Sequence, residues 1–232
     1  MQNQSFKAEH IKKSFRHGKK IVLKDISLEA EPGECIGIIG ANGCGKSTLL
    51  SILAGVLKAD EGLISFGQNF SENAAVSQKR TGHIGYVPQE NPLMEELSAL
   101  DNLKLWYCDS PLSLKEELKS GVLFMLGIPD FLSVTVKHMS GGMKKRLSLG
   151  CSLAKAPEIL LLDEPGAALD LPCKQQIEQY LQTYKKQGNI LIIATHEERE
   201  IALCDKIYIL KDGHLSLYSY DGNIHELTKQ LT

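Results

Sequence analysis

ECIGIIGANGCGKSTLLSIL, residues 34–53, carries three kinds of local structure in one uninterrupted run. ECIGIIG (34–40) is short and apolar, the composition of a strand buried on both faces. GANGCGKST (40–48) fits G-x-x-x-x-G-K-[ST] at every fixed position, and the run TLLSILAGVL that follows has helical spacing. Strand, glycine-rich turn and helix together are the context in which this pattern cradles phosphate. Gly40, Gly43 and Gly45 permit tight or left-handed backbone. The N–H groups of the loop, from Gly40 through Ala41, Asn42, Cys44 and onward, can then point inward at phosphate oxygens. A helix starting near Lys46 adds its positive end. Lys46 reaches the β and γ phosphates, Ser47 is placed to ligate Mg²⁺, and Thr48 completes the run.

Outward from this loop, HIGYVPQ (83–89), EILLLDEP (158–165) and NILIIATHE (189–197) read as further buried strands, the first ending at a proline. Buried strands alternating with helices imply a mostly parallel sheet, so the core is α/β. FKAEHIKKSF (6–15), KIVLKDISLEAEPGE (20–34) and ADEGLISFGQ (59–68) are alternating or turn-bounded and suggest a small antiparallel flank. Between Glu90 and Lys155 strand signals nearly vanish, and LSALDNLKLWY, LSLKEELKSGVLFMLGI and GMKKRLSLGCSLAK have helical spacing. Residues 90–155 therefore read as a helical subdomain inserted in a single domain that spans 1–232.

A phosphate loop names no reaction by itself, and the carboxylates narrow the field. Asp163 ends the apolar strand ILLLD, where it can hold the shell of Mg²⁺, and Glu164 follows at once. Neighbours at a strand end can divide the work, the aspartate on metal and the glutamate polarising the attacking water as general base. Asp163 to Gly166 also fits the DxxG of GTPases, but the chain has no NKxD to read guanine.

HMSGGMKKRLSLG (138–150) holds a second anion-binding pattern. Ser140 is placed to cap the helix that begins with GMKKRL, and Gly141 and Gly142 leave its first N–H groups uncovered. The cations Lys144, Lys145 and Arg146 that follow read as a solvated helix face.

Bulk properties exclude several classes. The 232 residues carry a net charge of −2, and the basic pairs Lys12–Lys13, Lys19–Lys20 and Lys185–Lys186 are scattered, which argues against nucleic acid as a main ligand. Six cysteines without CxxC or Cys/His metal spacing point to a reduced compartment. The opening MQNQSFKAEHIKKSF lacks the apolar core of a secretory signal, and no apolar run approaches the ~20 residues of a membrane span. A membrane, where one is involved, has to be supplied by a partner.

Taken in order, GANGCGKST, Gln89 in YVPQE, MSGGM, ILLLDEP, AALD (167–170) and His196 after LIIAT resemble the ATP-binding cassette family, over nearly the whole chain. The resemblance implies a P-loop NTPase fold of the ABC ATPase type, with ATP and Mg²⁺ as cofactors. It implies a head-to-tail dimer, homomeric or heteromeric, in which the Ser140–Gly142 segment of each copy closes over nucleotide held by the other. By the same resemblance Gln89 contacts Mg²⁺, Asp170 couples the two sites, His196 hydrogen-bonds the γ-phosphate, and Phe15 stacks on adenine. The catalytic set is then Glu164, His196 and Lys46, and the metal set Ser47, Gln89 and Asp163.

The implied function is the ATPase subunit of a transporter, on the cytoplasmic face of a membrane and coupled to separate transmembrane permease subunits. Two other readings share the motifs. One is an ABC-type ATPase acting on ribosomes, DNA or a cluster-assembly complex, although such members usually have two cassettes per chain or a long coiled-coil insertion, and neither is present. The other is a nucleotide-gated interaction module without turnover, against which Lys46, Asp163, Glu164 and His196 all speak. The family's commonest signature is LSGGQ, whereas Met139 and Met143 flank the motif here. Met143 cannot make the hydrogen bonds of a glutamine, and Met143–Arg146 resembles exporter cassettes more than importers.

Overall fold

The structure is a computed structural model and describes residues 4–15, 20–67, 70–74, 83–167 and 169–231. Residues 1–3 of the opening stretch, Lys19, Gln68 and Ala168 of the AALD turn lie outside the described residues.

Strands β1 (Phe6–Phe15) and β2 (Lys20–Ala30) are followed by β3 (Cys35–Ile39), helix α1 (Lys46–Leu53), β4 (Glu61–Phe66), β5 (Phe70–Asn73) and β6 (Ile84–Val87). Four helices come next: α2 (Ala99–Tyr107), α3 (Leu114–Lys119), α4 (Val122–Met125) and α5 (Gly141–Ser152). The chain closes with β7 (Ile159–Asp163), α6 (Leu171–Lys186), β8 (Ile190–Ala194), α7 (Glu198–Ile201), β9 (Lys206–Lys211), β10 (His214–Tyr218) and α8 (Ile224–Leu231).

The central sheet has the order β10-β9-β3-β8-β7-β6, all parallel except the edge strand β10, and a second, antiparallel sheet runs β2-β1-β4-β5. Every residue of β3, β7 and β8 is buried, because both faces of the central sheet are covered. Successive residues of β7 serve different cores. Ile159 and Leu161 pack with α1 and the antiparallel sheet, while Leu160 and Leu162 pack with the helices on the other side. A buried leucine or isoleucine contributes roughly 1.5–3 kcal/mol, so these alternating contacts lock the strand order. The carboxyl ends of β3, β6, β7 and β8 face one crevice, the usual ligand position in such a sheet.

Between β6 and β7 the described chain forms helices and 3₁₀ turns, with one isolated bridge between Ser98 and Thr135. The helical spacing over 112–128 does not produce one helix. It breaks at Ser120–Gly121, where Glu117 folds over and accepts the Val122 N–H at 2.8 Å, capping α4; a Cβ at Gly121 would collide with that carboxylate. Helix α1 also ends at Leu53, short of the expected run to Leu57, because Gly55 turns left-handed (φ 75°).

Candidate active site

The phosphate loop begins at Gly40, where a side chain would strike the Leu210 carbonyl and the Cys44 thiol. Gly43 (φ 78°) and Gly45 (φ 117°) are left-handed, and Gly45 is the N-cap of α1. Glycine is therefore required at Gly40 for space and at Gly45 for backbone conformation. Lys46 is buried, and its Nζ donates to the carbonyls of Gly40 at 2.8 Å and Ala41 at 3.3 Å. Cys44 donates its N–H to Ala41 O at 3.2 Å and turns its thiol inward against the core.

A cleft of about 400 Å³ opens over this loop, lined by Phe15, Lys20, Val22, Asn42, Gly43, Gly45, Lys46, Ser47, Thr48, Gln89, Glu164 and His196. Phe15 is 38% exposed, so it is not a core residue, and its ring lies 5.3 Å from Lys13 Nζ. No sequence motif singles out Lys20 and Val22. They reach the cleft because Phe15 pairs with Lys20 across the β1–β2 ladder, a register that local patterns do not record.

Asp163 is buried at the end of β7. Burial pushes its carboxyl above the ordinary aspartate range, a hydrogen bond from Ser47 pulls it down, and the Glu164 charge adds to the rise. Glu164 adopts φ 48°, a left-handed conformation costing of order 1–3 kcal/mol in a non-glycine residue, and donates its N–H to Ala194 O at 2.9 Å. That turn aims the side chain into the cleft. Its Oε2 accepts from Gln89 Nε2 at 3.1 Å, and its Oε1 lies 3.5 Å from His196 Nδ1. The three side chains named from separate motifs thus meet.

Ser140, Gly141, Gly142 and Asp170 are not part of that cleft. They line a second one of about 420 Å³, with Arg146, Pro172, Cys173 and Gln176, and the two linings share no residue. Ser140 Oγ accepts the Met143 N–H at 3.2 Å, which starts α5 at Gly141, one residue earlier than expected. Asp170 caps α6 in the same way, accepting the Cys173 N–H at 2.9 Å.

The basic run after Met143 is not a solvated face. Lys145 is buried and donates to Pro88 O at 3.2 Å and Asp163 O at 3.3 Å. Arg146 Nη1 donates to Leu126 O at 3.0 Å and Gln176 Oε1 at 3.2 Å, with its guanidinium 5.0 Å from the Phe131 ring. Lys144 lies 3.7 Å from Glu95. These partners come from distant segments, which is why the local charge pattern misleads.

Comparison with known proteins identifies the family. The sequence model described as "ABC transporter" matches residues 23–167, more than half of the chain. The linearmycin resistance ATP-binding protein LnrL of Bacillus subtilis (strain 168) is 35% identical over 213 residues, covering 90% of this chain and 67% of that protein. The macrolide export ATP-binding/permease protein MacB 1 of Yersinia pestis bv. Antiqua (strain Antiqua) is 34% identical over 222 residues. That match covers 93% of this chain, which spans only 34% of the relative. Among solved structures, the dimeric post-hydrolysis state of the ATP-binding cassette MJ0796 bound to ADP and Pi superposes with a TM-score of 0.79 at 27% identity, covering 93% of this chain and all of that one (100%). With the phosphate loop, the acidic strand end and the capped SGG helix in their places, the chain belongs to the ABC transporter family and is an ABC ATPase cassette.

Proposed function

We propose that the chain is the nucleotide-binding subunit of an ABC transporter, which pairs head to tail on ATP and drives transport through a membrane-spanning permease. The observation that carries this reading is the split between the two clefts. The Ser140–Gly142 amides at the start of α5 form an anion-favouring helix end in one place, with Asp170 lining the same cleft, and the phosphate loop with Glu164 lies in another. A two-fold axis joins the first surface of one copy to the second of its partner and makes two equivalent sites. The cassette MJ0796, described as dimeric and bound to ADP and Pi, supports the same arrangement here.

In this reading Phe15 stacks on the base, the loop from Gly40 to Thr48 holds the phosphates, and Lys46 moves from the loop carbonyls to phosphate oxygens. Glu164 takes a proton from the attacking water as it adds to the γ-phosphorus and ADP leaves. Gln89 and His196 fix the position of the glutamate, and His196 also reaches the γ-phosphate. The hydroxyl of Ser47, the carboxylate of Asp163 and the amide oxygen of Gln89 are hard oxygen donors, which fits Mg²⁺. When bound, that ion neutralises charge on the β and γ oxygens. Little covalent chemistry is left to the protein, whose contribution is position and electrostatics.

No described helix is long and apolar enough to cross a membrane; in this reading a separate permease supplies the spans. MacB 1 is named both ATP-binding and permease, and this chain matches about a third (34%) of it, which supports a permease partner. The names of LnrL and MacB 1, resistance and export, support the exporter direction. The subunit then sits on the cytoplasmic face, and the helical region 90–155 passes closure of the dimer to the permease. The deciding experiment is light scattering of Glu164→Gln with and without MgATP. A nucleotide-dependent dimer is expected, and a strict monomer at saturating ATP, alone and in membranes with a co-expressed permease, would overturn the reading.

A further inference from the structure

The β6–β7 ladder ends at the pair Val87–Leu162. Immediately beyond it come Pro88 and Asp163, and one residue further stand Gln89 and Glu164, whose side chains must meet for the site described above. Pro88 has no N–H to extend the ladder. The gap is bridged by Lys145, whose Nζ donates to Pro88 O at 3.2 Å and to Asp163 O at 3.3 Å. One ammonium therefore joins the carbonyls that directly precede Gln89 and Glu164.

The burial of this group is informative. Lys145 is only 5% exposed, and an ammonium is costly to remove from water unless it is hydrogen-bonded or surrounded by opposite charge. Here it has both, since Asp163, Glu200 and Glu164 are its electrostatic neighbours. An apolar residue of similar length would fill the same space without joining the two strands. The lysine instead spans two backbone segments that lead directly to Gln89 and Glu164.

We propose that Lys145 is a positioning residue for hydrolysis, tying the ends of β6 and β7 together so that Gln89 and Glu164 stay in register. The inference rests on the hydrolytic reading given above. Lys145 does not touch nucleotide; it acts through the contact between Gln89 and Glu164.

The test uses the full chain and compares parent, Glu164→Gln, Lys145→Met, Lys145→Arg, Gln89→Ala and Lys145→Met/Gln89→Ala. ATP turnover (kcat and KM) and the affinity for a fluorescent ATP analogue are measured for each. Lys145→Met is expected to lower kcat by about tenfold or more while KM and nucleotide affinity stay within about twofold, since displacing a reacting group by ~1 Å costs up to a hundredfold. Lys145→Arg, which keeps charge and donors, is expected to recover part of the rate. In the Gln89→Ala background, Lys145→Met is expected to cost less than about twofold more, because both changes break the same contact. Parental kcat in Lys145→Met overturns the proposal, and so does a loss of undiminished size in the Gln89→Ala background. Should Lys145→Met not fold, Lys145→Gln with and without Gln89→Ala runs the same cycle and is read the same way. A parent no faster than Glu164→Gln overturns the hydrolytic reading itself; a parent well above it, matched by Lys145→Met, overturns only the role of Lys145.

Discussion

The side-chain amide of Gln89 donates to Oε2 of Glu164 across 3.1 Å, joining the segments that leave the ends of β6 and β7. His196 Nδ1 lies 3.5 Å from the other carboxylate oxygen, so both oxygens of Glu164 face a nitrogen. A glutamine at this position keeps the shape and can still accept from Gln89, but it cannot take a proton. Glu164→Gln is therefore expected to lower turnover by ~10²–10⁴-fold, the usual contribution of a general base, with ATP affinity within a few-fold of the parent. Steady-state phosphate release and nucleotide titration check both halves. Turnover within twofold of the parent would remove Glu164 as the base.

Asp163 gives a pH-dependent prediction. Burial raises its carboxyl above the ordinary value of 3.8, so the folded chain binds its proton more tightly than the unfolded chain does. Between the unfolded and the higher folded value the native state holds more protons, and stability falls as pH rises through that window. Above it, the buried charge is a constant cost. Asp163→Asn removes that cost and the repulsion with Glu164, which together outweigh the attractions to Lys145 and Lys46 that it gives up, while keeping an oxygen for Ser47 to donate to. The nucleotide-free variant is expected to melt above the parent at neutral pH, with the difference vanishing as pH falls below 3.8, and to lose ATP turnover. Calorimetry across this range checks it, and a variant less stable than the parent at neutral pH refutes the account.

Particular residues show how much of the fold and the site is legible in the sequence. The buried runs Ile159–Asp163 and Ile190–Ala194 announce strands covered on both faces, since a continuous apolar stretch has no exposed side to offer. The glycines of residues 40–45 announce a tight turn. Lys145 and Arg146 read as solvated from local charge alone, because their partners Pro88, Asp163, Leu126 and Gln176 lie 18 to 57 residues away in the chain. The break at Ser120–Gly121 escapes the same kind of reading for a related reason. Helical spacing says where apolar side chains fall, and not that the Glu117 side chain will reach past the end of α3 to cap the next helix.

Cys44 supplies a chemical probe of the loop. Its thiol is half-buried and directed inward, 2.6 Å from the point a Cβ on Gly40 would occupy. A maleimide adduct cannot fit there and must displace the loop between Gly40 and Gly45. Alkylation is expected to abolish ATP binding, and pre-bound MgATP to slow it, as followed by mass spectrometry and nucleotide titration. Alkylated protein with parental affinity would show that the loop tolerates the displacement, against the packing described.

The arrangement of two clefts is best tested by dividing it between chains. Lys46→Ala removes the cation from the phosphate loop and should abolish nucleotide binding. Gly141→Asp acts on the other cleft: a Cβ at Gly141 meets nothing within 4 Å, and an acidic residue in the first turn suits a helix, so the chain should fold as before. Its carboxylate would instead repel a γ-phosphate brought up by a partner. Gly141→Asp is thus expected to bind ATP as a monomer with parental affinity yet fail to turn it over. In an equal mixture of the two variants, half of the dimers are mixed, and each of these pairs the intact loop of the Gly141→Asp chain with the intact Ser140–Gly142 face of the Lys46→Ala chain. Where sites act independently, about a quarter of parental activity should return from two inactive proteins. A site completed within one chain predicts instead no recovery at any mixing ratio, together with weakened ATP binding by the Gly141→Asp monomer.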